Sequence, residues 1–194
     1  MDTTAIALNL ASVVSLTDDQ LYQLCLANKG LRIERTSTGQ ILIAMPTAGK
    51  TSVLNFEICG QLYRWNKQAQ LGVAFDSSGG FTLPNGAMRS PDAAWLPLER
   101  WNGLSEKEQE QFPPLCPDFV IELLSKTDAL RTAQEKMAEW MTNGCRLAWL
   151  INPKDETVFI YRQGQATQTV QGFETLLSGE DVLPEFSFAL TDLR

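Results

Sequence analysis

The chain has 194 residues, is 44% hydrophobic and carries a net charge of −7. That length supports one well-packed core but not two, and the acidic balance repels nucleic acid over most of the surface, so any nucleic-acid site needs a local basic or metal-neutralised cleft. It contains no histidine, which removes Ser-His and Cys-His triads, zincin motifs and imidazole acid–base catalysis, leaving carboxylates, lysine, tyrosine and a hard metal.

No stretch approaches eighteen apolar residues, and Met1 to Ser15 has no basic segment ahead of its apolar residues. The expectation is a soluble cytoplasmic protein, not a membrane protein, with residues 1–194 in a single domain. Cys25, Cys59, Cys116 and Cys145 are widely spaced and lie in or beside hydrophobic segments, as buried thiols of a reducing compartment do.

In chain order, "SLTDDQLYQLCLANKG" predicts a helix with Ser15 or Thr17 as N-cap and Gly30 as stop, giving residues 1–30 the character of a helical segment. "LRIERT" and "QILIAMP" flank the turn "STG" and predict a hairpin with Gly39 at positive φ. A long helix is expected from about Thr51 to Leu71, closed by Gly72. Its two apolar stripes, Leu54/Ile58/Leu62/Trp65 and Val53/Phe56/Cys59/Tyr63, predict packing on both sides, with Glu57 and Gln61 in a polar lane between them. "GVAFDS", "GFTLP" and "SPDAAWLPL" read as short strands, and "SEKEQEQF" as a surface helix.

"PDFVIELLS", residues 117–125, is a near-continuous apolar run of the kind covered on both faces, interrupted by Glu122. The helix "DALRTAQEKMAEWMTNG" follows, with Asp128 as expected N-cap and Gly144 as stop, then "CRLAWLI", a turn at "NPKDE" and "TVFIYR". This order implies an α/β (α+β) fold, a mixed β-sheet flanked by helices, with a parallel crossover from 118–124 through 128–143 to 145–151. "GEDVLPEFSFAL" supplies one more short strand.

A buried carboxylate without a partner costs several kcal/mol, so Glu122 needs compensation. Asp92 enters a second apolar strand just after a proline, and Glu57 faces out from the long helix. If those strands are neighbours and the helix crosses their ends, three carboxylates converge and suit a hard cation, Mg²⁺ or Mn²⁺. Lys136 lies beside the apolar helix face of Leu130, Ala133, Met137 and Trp140, so its stem can pack while its ammonium reaches over the sheet.

These segments, "PDAAWL", "PDFVIELLS", the "KM" of the next helix, "NGCRLAWLINP" and "VFIYR", resemble the Uma-type restriction endonuclease family of the PD-(D/E)XK nuclease superfamily over roughly residues 30 to 190. The resemblance implies a restriction-endonuclease-like core over about 31–190 and Mg²⁺-dependent hydrolysis of nucleic-acid phosphodiesters, DNA foremost. It assigns Asp92 and Glu122 as metal-binding acids, Glu57 as the helical acid, and a lysine acting on phosphate or water. The common motif places that lysine two residues after the second acid, where Leu124 stands. In this family it migrates to the next helix, which points to Lys136, with Lys126 as rival. Gln134 and Asp118 are expected beside the acids as orienting partners, and a homodimer is expected because superfamily members that cut both strands pair.

Two other readings compete. "AMPTAGKT", residues 44–51, fits a relaxed phosphate-loop pattern, but its first glycine is Ala44, Pro46 restricts the loop, and the preceding strand reads as half a hairpin. The third is a nuclease-like fold that has lost catalysis and serves as a binding or regulatory module.

Overall fold

The computed structural model describes residues 5–10, 13–44 and 46–194. It opens with strand β1 (Ala5–Leu8), so the N-terminal segment is not purely helical. Helix α1 (Asp18–Ala27) starts from Thr17, whose hydroxyl accepts from the Gln20 N–H while the Gln20 side chain accepts from the Thr17 N–H. This reciprocal cap fixes the start at Thr17 rather than Ser15. The helix ends at Asn28, two residues before the expected glycine. Strands β2 (Arg32–Arg35) and β3 (Ile41–Ala44) form the expected hairpin, with Gly39 at φ +82°.

Helix α2 (Gly49–Ala69) stops at Gln70, itself left-handed at φ +55°. Gly72 does not close the helix; it begins strand β4 (Gly72–Phe75), where an added Cβ would stand 2.2 Å from the Leu96 carbonyl. Of the two apolar stripes on α2, one is packed and the other reaches the core only through Cys59. Leu54, Ile58 and Leu62 are buried, whereas Val53, Phe56 and Tyr63 are 68%, 80% and 58% exposed. Two-sided packing is therefore overturned: one sheet receives one face of the helix.

Strands β5 (Phe81–Thr82) and β6 (Met88–Arg89) extend the hairpin into a five-stranded sheet of order β1-β3-β2-β6-β5. Strand β7 (Ala93–Pro97) leads through two short helices, α3 (Leu98–Asn102) and α4 (Glu106–Glu110), to β8 (Phe119–Leu123). Helix α5 (Leu130–Thr142) then carries the chain to β9 (Leu147–Asn152), parallel to β8 and register-paired from Phe119↔Leu147 to Leu123↔Ile151. Ala129 is the N-cap of α5 without a side-chain bond, while Asp128 accepts from the Ser125 N–H in the preceding turn, so the expected Asp128 cap is corrected. Strands β10 (Thr157–Arg162) and β11 (Gln168–Gln171) complete a six-stranded mixed sheet, β11-β10-β9-β8-β7-β4. Strands β12 (Leu176–Ser178) and β13 (Ser187–Ala189) form a separate pair. The expected mixed sheet is the six-stranded one, with β8–β9 as its single parallel pair, and beside it stand the all-antiparallel five-stranded sheet and the two-stranded pair.

Alternation along β8 divides the core. Phe119, Ile121 and Leu123 pack toward α2 with Trp149 and Phe186, while Val120 and Leu124 pack toward α5 with Met137 and Trp140. Glu122 has the parity of Val120 and Leu124, so its side chain is delivered to the α5 face. Among the described residues no helix is long and apolar enough to cross a membrane.

Candidate active site

Glu122 is 8% exposed and lies at the C-terminal end of β8. Residues four apart on a helix share a face, so Lys136 and Trp140 of α5 both reach it. The Lys136 Nζ lies 2.9 Å from Glu122 Oε1 and donates to Oε2 at 3.1 Å, while the Trp140 indole N–H donates to Oε1 at 2.8 Å. Lys136 has three N–H groups, and its other acceptors are Glu34 Oε1 at 3.2 Å and the Ser90 carbonyl at 3.1 Å.

Asp92 stands just before β7, where its N–H donates to the Ile121 carbonyl at 3.0 Å. Its Oδ2 accepts from the Leu123 N–H at 2.8 Å. Asp92 therefore brackets Glu122 from the neighbouring strand, holding the residues on either side of it. Its Oδ1 accepts from the Asn55 amide at 3.2 Å and lies 3.5 Å from Arg32 Nη1.

Arg32 and Glu34 are two residues apart on β2 and share the face opposite Ile33, which packs on α1 through Leu21. The same face continues through Leu42 and Ala44 of β3 and Ala5 and Ala7 of β1, and this floor closes one side of a cavity of about 920 Å³. The start of α2, the ends of β7 and β8 and the inner face of α5 form its other walls. Glu34 accepts from Arg89 at 3.1 Å and from the Ser90 N–H at 3.1 Å, and Arg89 in turn donates to Glu139 at 2.5 Å.

The electrostatics follow from this crowding. Burial pushes the Glu122 carboxyl above its ordinary value; Lys136 pulls it back, and Asp92 and Glu34 add to the rise. For Glu34 burial also opposes ionisation, but Lys136, Arg89 and Arg32 outweigh it and bring the group down to about 2. Burial works against the Lys136 ammonium as well, yet the carboxylates of Glu122 and Glu34 raise its pKa, so the lysine is charged.

The structure thus brings together Asp92, Glu122 and Lys136. Glu57 does not join them. It lies two residues from Asn55, and two residues turn a helix by about 200°, so it faces away and lines no part of the cavity. Lys126 is exposed in the turn after β8, and neither it nor Gln134 lines the cavity. Asp118 is at the opposite end of β8, paired with Arg100 and Arg146. Of the relaxed phosphate-loop segment, Met45 lies outside the described residues. The strand before it, β3, is antiparallel to both neighbours, so the parallel strand–loop–helix unit that cradles nucleotide phosphates is not formed.

The sequence reading missed Glu34, Arg32, Asn55 and Trp140. Three carried a local signal. Arg32 and Glu34 alternate with apolar Ile33 in "RIER", and Trp140 follows Lys136 by one helical turn. Asn55 carried none.

Among the described residues no three Asp, Glu or Cys side chains are gathered as a ready metal cage, and the convergence expected of Glu57, Asp92 and Glu122 does not occur. The cavity's carboxylates are balanced by Arg32, Arg89 and Lys136. Among the described residues, Asn55 Oδ1 is the cavity's buried polar atom without a hydrogen-bond partner, and it lies beside Asp92. An unpartnered buried oxygen beside Asp92, in the cavity that Glu122 also lines, matches the all-oxygen preference of a hard divalent cation, which keeps several waters and needs few protein ligands. The donor set fits such an ion.

A mixed sheet with a buried acid at a strand end, a second acid on the adjoining strand and a lysine from the crossover helix defines a restriction-endonuclease-like fold. A crystal structure described as a "putative nuclease belonging to DUF820" from Anabaena variabilis is similar, with a TM-score of 0.74 at 23% sequence identity over 92% of this chain and 97% of that chain. The chain belongs to the Uma2 family, described as "Putative restriction endonuclease", whose pattern matches residues 18–191. No curated protein matches the chain.

Proposed function

We propose that this protein is a divalent-metal-dependent endonuclease that hydrolyses phosphodiester bonds of nucleic acid, with DNA as substrate. Family membership supports a nuclease. The observation that carries the finer reading is the buried pair Glu122–Lys136 beside Asp92, opening on a cavity large enough for a nucleotide unit.

In this reading Asp92 and Glu122, with the Asn55 amide oxygen, would hold Mg²⁺ or Mn²⁺, which would supply Lewis-acid activation of water and charge compensation at the phosphate. Lys136, kept charged by its two carboxylates, holds a positive charge where negative charge develops on the phosphoryl oxygens. Trp140 fixes the Glu122 carboxylate through Oε1. Glu34 positions Lys136 and Arg89 and has no direct part in the reaction.

The test is a plasmid-nicking assay with Mg²⁺ or Mn²⁺, with and without chelator, on the wild type and on Glu122→Gln. Cation-dependent nicking that disappears in the variant is the expected result; equal nicking by both proteins, or nicking that survives the chelator, overturns the reading. One observation favours a second reading, a non-catalytic binding module: Lys136 already has a protein acceptor for each of its three protons. That reading requires cation-independent oligonucleotide binding without any nicking.

A further inference from the structure

The three cations lining the cavity are not held alike. Lys136 has three acceptors and Arg89 is clamped between Glu34 and Glu139, with side chains 20% and 12% exposed. Arg32 is 32% exposed. Its one hydrogen bond among the described residues runs from Nη2 to the Ser90 carbonyl at 2.5 Å, and its approach to Asp92 is a loose ion pair at 3.5 Å. The acid it faces is the one whose Oδ1 also sits against the amide of Asn55.

We propose that Arg32 is a phosphate-binding residue stored on Asp92: it neutralises that carboxylate while no cation is bound, and is displaced onto a phosphate of the nucleic acid when a divalent cation takes its place. This rests on the metal-dependent reading above. A cation at Asp92 and a guanidinium about 3.5 Å from the same oxygen repel, so the two compete for one carboxylate. The Ser90 anchor keeps the displaced head within the cavity, and the guanidinium's planar fork suits two non-bridging phosphate oxygens. The exchange gives an acidic protein a positive group for its substrate only when the cation is present. Arg89 and Lys136 cannot serve in this way without abandoning buried carboxylates.

Removal of Arg32 has opposite effects on its two ligands, which a merely structural arginine does not show. Mn²⁺ binding by calorimetry and binding of a labelled oligonucleotide by fluorescence anisotropy, the latter in Ca²⁺ to hold cleavage back, are compared for the wild type, Arg32→Gln and Arg32→Lys, with thermal melts to confirm folding. Arg32→Gln is expected to bind Mn²⁺ roughly three- to tenfold more tightly, because a competing charge is gone, and the oligonucleotide roughly tenfold more weakly. Arg32→Lys keeps the charge but not the fork, so it retains wild-type Mn²⁺ affinity with intermediate oligonucleotide affinity. Weaker or unchanged Mn²⁺ binding in a folded Arg32→Gln overturns the storage role, and unchanged oligonucleotide affinity overturns the phosphate role; both leave the nuclease reading standing. Absence of Mn²⁺ binding from the wild type itself removes the metal-dependent reading, and the exchange falls with it.

Discussion

Strand β8 is flanked by a buried acid at each end, and the two acids live differently. Asp118, just before the strand, is 5% exposed and paired with Arg100 and Arg146, whose side chains are 39% and 43% exposed. Glu122, roughly 13 Å further along an extended chain, is 8% exposed and held by Lys136 and Trp140, both drawn from one face of α5. Partly exposed arginines satisfy Asp118, and it does not line the cavity that Glu122 opens on. Glu122 is itself crowded by Asp92 and Glu34, and the group opens on a large cavity. Burial of an acid alone does not mark a site; burial among other charges with space beside it does.

The contrast can be broken most directly by neutralising each acid. Glu122→Gln is expected to lower nicking by about three orders of magnitude, the scale of losing a metal ligand together with the lysine's partner. Asp118→Asn should leave the cleavage rate within about twofold and cost about 1–2 kcal/mol of stability, read by urea denaturation. Equal losses of activity would erase the distinction.

Lys136→Met sharpens it further. The substitution leaves Glu122 and Glu34 facing each other without their shared cation, and is expected to destabilise the fold by about 3–5 kcal/mol as well as abolish nicking. The double variant with Glu122→Gln should recover part of that stability but none of the activity, which separates the folding role from the chemical one.

Glu34 gives a pH signature. Its carboxyl falls from an ordinary 4.5 to about 2 in the folded protein, so the folded state favours its ionised form. That contribution is fully present above about pH 4.5 and is lost as pH falls toward 2, on the order of 3 kcal/mol in all. Glu122, shifted upward, works in the opposite direction. The melting temperatures of the wild type and Glu34→Gln should therefore differ at pH 7 and converge as pH falls through 4 to 2. A gap independent of pH would contradict the charge balance described for the cavity.

The smallest effect is expected on the outer face of α2. Phe56→Ser removes an aromatic ring that is 80% exposed and should change stability by no more than about 0.5 kcal/mol. A large loss would restore the two-sided packing that the sequence suggested.

That stripe shows where sequence reasoning reaches its end. Val53, Phe56 and Tyr63 repeat with the same helical period as Leu54, Ile58 and Leu62, and periodicity alone cannot say which set meets the sheet. Glu57 was placed wrongly for the same reason, since which side of α2 faces the strand ends is a tertiary fact. The crossover from β8 through α5 to β9 was legible because its signals are local: an apolar run, an amphipathic helix and a second apolar run, with Lys136 on the face that must cover the sheet. Asp92 and Glu122 stood out as acids in apolar strands. Glu34 did not, because its importance depends on β2 lying across the cavity, a pairing between segments more than fifty residues apart.

The most direct measurement is an Mn²⁺ titration by calorimetry into the wild type, Glu122→Gln and Asp118→Asn. A saturable site present in the wild type, retained by Asp118→Asn and lost from Glu122→Gln is expected. Binding that is the same in all three proteins, or absent from all three, would contradict the assignment of a metal to the inner end of β8.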